Sequence, residues 1–297
     1  MSIGYQRADA HIIDYELHQL PGLEGAFRGP PIHTNEYLAC LGGAQTFGRF
    51  VQTPFPRLIS HAIGIESLNL GRGGAGPSFY FSDSTLLGYI NRARFVIVQV
   101  LSGRSQSNSL FCTTNHGMLG LNLAEGREVT ANDFYTWLMN QDEQLVRKIV
   151  AETRDNYVLA MTQLLHAITP PKILLWLSVR SPEYPEHWGL PVWRLWGEFP
   201  QLVNREMIDR LQTHADIYVE CISRRGLPQR LFDRSGNPTS FKPFHPFGGT
   251  TMKTENSYYP SPEMHEDAAA LLIPACREIL SRAKSSQSMP APSRKKQ

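Results

Sequence analysis

An α/β fold built on a parallel sheet follows from three observations. Apolar runs at 37–41, 65–70, 95–101, 172–177 and 217–222 alternate with stretches of helical spacing. Glycine clusters close the first two runs, at Gly42–Gly43 and within Gly71–Gly76. The run Phe95–Leu101 (FVIVQVL) is apolar on both faces, as a central parallel strand must be. Strand, loop, helix, strand, loop over residues 37–77 is a βαβ unit. Its two glycine loops fall at one carboxyl edge of the sheet, where ligands of such sheets sit.

In chain order, residues 1–35 form a Pro- and Gly-interrupted lead-in that packs on the main domain, with a short strand expected at Tyr15–Leu17. After the first strand a helix is predicted over Pro56–Ile63, with Leu58, Ile59 and Ala62 on one face. Ser82 or Asp83 caps a helix to Ala93 that turns Leu86, Leu87 and Ile90 inward. Residues 112–130 carry several Gly and Asn and read as an irregular excursion. Helical spacing runs from Thr130 to Ile168, with a break expected at Asp155–Asn156 and a stop at Pro170–Pro171. The segment after the fourth strand is rich in Trp and Pro. It reads either as a lid or sugar platform, or as a loop pinned to the body by its aromatics. A helix is expected over Asn204–His214. Residues 223–254 lack periodicity, and Arg224, Arg225, Arg230 and Arg234 there suit a solvated loop better than an anionic site. A last helix is predicted over Pro262–Ala283. The organisation expected is a lead-in (1–35), an α/β domain (36–283) and a disordered tail (284–297).

Composition narrows the function. At 297 residues, with 41% hydrophobic and 19% charged residues, the chain is an ordinary globule with ample core. A formal net charge of +2 gives no basis for nucleic-acid binding. Cys40, Cys112, Cys221 and Cys276 have no metal-type spacing, so neither metal nor cofactor is expected, and Cys112 with His116 lacks a third group to orient a nucleophile. No apolar run has membrane-spanning length and the first residues carry no signal-peptide core. Hence no membrane partner and a cytoplasmic location are expected.

The words GGAQTFG, PFPRLI and LNLGRGGAG resemble the first two sequence blocks of the SGNH (GDSL-type) hydrolases and acyltransferases. Gly42, Thr46 and Gly48 match the first block; Asn69, Gly71 and Gly74 match the second, which in the family offers an amide to the oxyanion. The resemblance implies a three-layer α/β/α sandwich with a five-stranded parallel sheet, flavodoxin-like in plan. The family's nucleophilic serine falls on Ala44, which has no hydroxyl to activate. The third block has no clean counterpart: Ser102–Phe111 offers Arg104, Ser105, Ser107 and Asn108 instead. An Arg there can hold an anion through two parallel bonds. The closing block, NSYYPSPEMHEDAA, places Asn256 at the family's acid, Tyr259 at its catalytic His and His265 at its second His. The chain is also similar to an uncharacterised bacterial group of SGNH-like proteins that shares GAQTFGRF, LNLGRGGAGP and YYPSPEMH.

Two classes of function remain open. One is an atypical transferase or hydrolase acting on a saccharide or other anionic or ester substrate, with His265 as base, Tyr259 or Ser105 as acid or nucleophile, and Arg104 for charge. The other is a non-catalytic ligand-binding or scaffold pseudoenzyme. In both, a small-molecule or saccharide ligand meets Ala44, Gln45, Thr46, Asn69, Gly71, Gly74, Arg104, Asn108 and Asn256. A His265 ring opening towards Tyr259 or Ser105 favours the enzyme; a buried ring bonded only to backbone favours the second class.

Overall fold

The structure, a computed structural model, describes residues 4–114, 119–197, 199–243 and 251–287. Five parallel strands form the central sheet: β1 (Tyr37–Leu41), β2 (Glu66–Asn69), β3 (Val96–Gln99), β7 (Lys172–Ser178) and β8 (Ile217–Ile222), in the order β2-β1-β3-β7-β8. Numbered along the sheet's own strands this is 2-1-3-4-5, the flavodoxin-like doubly wound order. All five expected runs therefore lie in one sheet, and the three-layer sandwich is present.

Alternation along the strands divides the core in two. Leu38, Cys40, Ile97, Ile173 and Leu175 face α3 (Phe55–Ile63) and α10 (Pro262–Gln287), where they meet Phe55, Ile59, Leu272 and Cys276. Ala39, Leu41, Val96, Val98 and Leu174 face the opposite layer: α4 (Pro77–Phe81), α5 (Ser84–Asn91), α7 (Glu143–Ala167) and α9 (Arg205–Gln212). Each large side chain buried this way contributes about 1.5–3 kcal/mol. Asp83 caps α5 by accepting from Thr85 and Leu86; Leu86 and Ile90 are buried, and Leu87 is half-buried.

Four expectations change. The expected irregular excursion over 112–130 is instead, with Phe111, a three-stranded antiparallel sheet: β4 (Phe111–Thr114), β5 (Leu119–Asn122) and β6 (Arg127–Thr130). The long helical region breaks at 139–142, between α6 (Ala131–Leu138) and α7, because the Asp142 carboxylate accepts from Gln144 and Leu145 and starts a new helix. Asp155 and Asn156 lie on the exposed face of α7. No strand forms at Tyr15–Leu17, where Glu16 takes a left-handed φ of 49° and only a bridge between His18 and Phe27 follows. Finally, α10 continues past residue 283 to Gln287; the rest of the expected tail, 288–297, lies outside the described residues, as does His116.

The aromatic insertion packs on the small sheet. Val192 and Leu195 of α8 (Val192–Leu195), with Trp196, bury against Phe134 and Val129, while Phe111 stacks on Phe134 at 4.6 Å. The lead-in is tied to the body as well. Arg28, almost fully buried, donates to the carbonyls of Phe47, Gly48, Val51 and Gln52. No helix among the described residues is long and apolar enough to cross a membrane.

Candidate functional site

In a sheet of this order the crevice opens where the chain turns from one direction of winding to the other, between the loops that follow β1 and β3. The loop after β1 runs through Gly42–Gly43 into the short helix α2 (Ala44–Phe47). It is held from β3: Gln99 Oε1 accepts the Gly43 N–H at 3.2 Å and the Thr46 hydroxyl at 2.7 Å. Glycine is required at 42, since a Cβ there would lie 2.0 Å from Thr46 Oγ1. The second glycine loop packs on the same helix. Asn69 Nδ2 donates to the Thr46 carbonyl at 3.0 Å, and its Oδ1 accepts the Gly71 N–H at 2.9 Å. Gly74 takes a left-handed φ of 79°.

From the β3 side, Arg104 sits in a single 3-10 turn, Gly103–Ser105. Its guanidinium carbon lies 5.0 Å from the centroid of Phe199, an aromatic of the insertion, and Nη1 is 3.4 Å from Ser102 Oγ. Phe199 in turn packs on Tyr258, with ring centroids 4.6 Å apart. The Tyr258 hydroxyl accepts from Gln45 Nε2 at 3.3 Å. Burial pushes the Tyr258 phenol up, and the Arg104 charge beside it offsets part of that rise. Gln45 from the first loop and Arg104 from the third thus meet at one phenol. Among the described residues no carboxylate pairs with Arg104.

Several other expected ligand residues use their polar groups inside the fold. Thr46, Asn69 and Gly71 spend their polar groups in knitting the two glycine loops together. Asn108 is buried against α7, donating to Thr153 Oγ1 at 2.9 Å and accepting the Leu110 N–H. Asn256, on β10 (Glu255–Asn256), makes a closed turn: Oδ1 accepts the N–H groups of Tyr258 and Tyr259, and Nδ2 donates to the Tyr259 carbonyl and to Gln229 of β9 (Gln229–Arg230). Ala44 presents a methyl group, buried at the start of α2. Ser105 ends the 3-10 turn.

His265 lies apart from both loops. Its ring is fully buried and stacked on Phe55 at 5.8 Å, and Nδ1 accepts the Phe55 N–H at 3.0 Å. Burial, with the Arg28 charge nearby, drives its pKa down to about 3. A neutral imidazole whose basic nitrogen is committed to a main-chain amide has no lone pair to give a substrate, so the base role expected of it does not fit this position. The Arg residues of 223–254 are engaged elsewhere: Arg225 with Asp267 and Glu266, Arg230 with Glu255, Arg234 with Asp14, and Arg224 with the Val179 carbonyl.

Two features went unread in the sequence. Tyr258 is the meeting point of the crevice, although it sits inside the matched closing block. Arg49 donates to the Tyr259 hydroxyl at 3.0 Å and pairs with Asp9 across 40 positions, which no local pattern announces. Arg49, Phe199, Phe241, Lys253, Tyr258 and Tyr259 line a cleft of about 30 Å³, room for a few water molecules. No group of three or more His, Cys, Asp or Glu among the described residues is placed to hold a metal.

A family profile described as "Domain of unknown function (DUF6473)" matches residues 1–115 and 132–280. No curated protein matches. Among solved structures, a carbohydrate esterase family 2 enzyme with a carbohydrate binding domain, from Corynascus thermopiles (Myceliophthora fergusii), aligns with 11% identity and a TM-score of 0.38 over 87% of this chain and 70% of that one. A catalytic mutant of Axe2, an acetylxylan esterase from Geobacillus stearothermophilus, aligns with 13% identity and a TM-score of 0.40 over 84% and 95%. A lipolytic protein described under the G-D-S-L family, from Desulfitobacterium hafniense DCB-2, gives 13% and 0.35 over 80% and 98%. Superpositions this loose align no site. The SGNH-like plan stands on the chain's own strand order and on its glycine blocks at the carboxyl edge.

Proposed function

Since the chain belongs to the family described as a domain of unknown function, DUF6473, we propose its role from its own geometry: it binds a small anionic or saccharide ligand in the crevice between the loops after β1 and β3, and forms no acyl-enzyme. The observation that carries this is the convergence of Gln45 and Arg104 on the Tyr258 hydroxyl at the switch point of the sheet. A guanidinium stacked on an aromatic face keeps its N–H edge for acceptors, which suits a carboxylate, sulfate or phosphate on the ligand.

The non-catalytic class is favoured over the transferase or hydrolase. At the positions matched to nucleophile, acid and base stand a methyl group, an amide closed into a turn, and a phenol accepting from Arg49. The substitute base, His265, is sealed behind Phe55. A cytoplasmic location belongs to the same proposal, since Cys40, Cys221 and Cys276 are unpaired in the core. Incubating the purified chain with a fluorophosphonate probe tests the reading: the expected mass is unshifted. A single stoichiometric adduct on any serine overturns it.

A further inference from the structure

Arg49 is built like a receptor. It is 1% exposed in its side chain, and the next residue, Phe50, holds a left-handed φ of 65°. A non-glycine residue persists in that region only where its surroundings fix it. The turn sends the guanidinium inward among four rings. Its carbon lies 4.6 Å from the centroid of Tyr5, 4.5 Å from Phe50, 5.1 Å from Phe241 and 4.9 Å from Tyr259. These rings cover the faces of the cation and leave its edges to acceptors. Nη1 donates to Tyr259 at 3.0 Å. The remaining fork, Nε and Nη2, holds the Asp9 carboxylate at 2.7 and 3.0 Å. Burial alone would lower the Arg49 pKa; Asp9 and Tyr259 outweigh it and raise it.

Asp9 reaches that fork from a slender segment. It begins the 3-10 turn Asp9–His11, which follows α1 (Gly4–Ala8), a helix with no buried residue. Tyr5 of α1 lies across the second glycine loop, so close to Gly73 that a Cβ there would come within 2.8 Å of its ring. The segment thus covers the rim of the carboxyl edge, with its carboxylate as the innermost group. Arg49 also lines the cleft beside Tyr258 and Tyr259, whose rings are 4.9 Å apart.

We propose that Arg49 is a carboxylate-binding site whose resident occupant is Asp9, and that a ligand carboxylate takes the place of Asp9 and lifts the 4–11 segment from the rim. The bidentate fork matches any carboxylate equally well, and the four rings suit one carried on an apolar or sugar-like body. The site lies beside the Gln45–Arg104 crevice and stands whether or not that crevice binds an anion.

Hydrogen exchange on the full chain tests this. Acetate at about 100 mM supplies the competing carboxylate. The amides of Ile12 and Ile13 both donate to the Asp9 carbonyl, at 2.8 and 3.0 Å, and report the seating of the turn. In acetate they exchange about tenfold faster than in chloride of equal ionic strength, while Leu58 at the start of α3 is unchanged. The Arg104→Ala chain keeps this acetate response, which separates the two sites. Asp9→Ala binds acetate saturably and gains thermal stability from it, and Asp9→Ala with Arg49→Gln does not. Equal exchange of Ile12 and Ile13 in acetate and chloride overturns the proposal, as does an Asp9→Ala chain indifferent to acetate. If Asp9→Ala fails to fold, the exchange of the unaltered chain decides alone.

Discussion

The Nδ1 atom of His265 accepts the main-chain N–H of Phe55 at 3.0 Å, joining the first turn of α10 to the first residue of α3. This bond requires the neutral imidazole. The folded chain keeps the ring neutral down to a pKa of about 3, whereas an unfolded chain protonates it near 6.5. Between those values the unfolded state holds the extra proton, so this contribution to stability is complete above pH 6.5 and is lost as the pH falls towards 3. Urea unfolding at pH 7 and pH 5 is expected to show a drop in the unaltered chain larger by about 2 kcal/mol than in His265→Gln. Identical pH dependence in the two chains refutes this placement of the ring.

Gly71 and Gly64 separate two reasons for glycine. A Cβ on Gly71 would lie 2.2 Å from the Phe47 backbone nitrogen, so α2 and the second glycine loop must part to admit it. Gly64, at φ 71°, has open space around it, and alanine there meets only backbone strain. Gly71→Ala is expected to cost about 3 kcal/mol or to prevent folding, and Gly64→Ala about 1 kcal/mol. Thermal melts of both variants check the order; a milder loss at Gly71 contradicts the close approach of the two loops.

Thiol chemistry checks the layering. Cys40, Cys221 and Cys276 are buried in the core, and burial pushes the thiols of Cys221 and Cys276 up to about 11 and about 12. Cys112 is exposed on β4. A disulfide reagent at neutral pH should therefore modify Cys112 in the folded chain and the other three only on unfolding. Rapid modification of Cys40 in the native protein contradicts the packing of α10 on β1.

The sheet was legible because its inner strands β1, β3 and β7 are near-continuous apolar runs, a pattern forced by helices on both faces, while the edge strands β2 and β8 carry Glu66 and Glu220 among their apolar residues. β4, β5 and β6 escaped notice because they are four residues each, with Gly120 and Asn122 inside them and one face in solvent. The break in the long helix was misplaced for a related reason. Asp155 and Asn156 look like a stop but sit on a solvated face, while the operative signal is the cap at Asp142. In the candidate crevice, the positions of Gln45 and Arg104 were readable from their places in the loops after β1 and β3. Asn108 and His265 were not, because burial against Thr153 and Phe55 is decided by partners 45 and 210 residues away.

The direct test of the crevice is a calorimetric titration of a sugar sulfate into the unaltered chain, Arg104→Ala and Arg225→Ala. A charge-assisted bond contributes about 1.5–3 kcal/mol, so Arg104→Ala is expected to weaken binding by about ten- to a hundredfold. Arg225, paired with Asp267 on α10, is expected to leave the affinity unchanged. Equal affinity in the unaltered chain and Arg104→Ala, or no binding to either, contradicts an anionic ligand at the meeting point of Gln45, Arg104 and Tyr258.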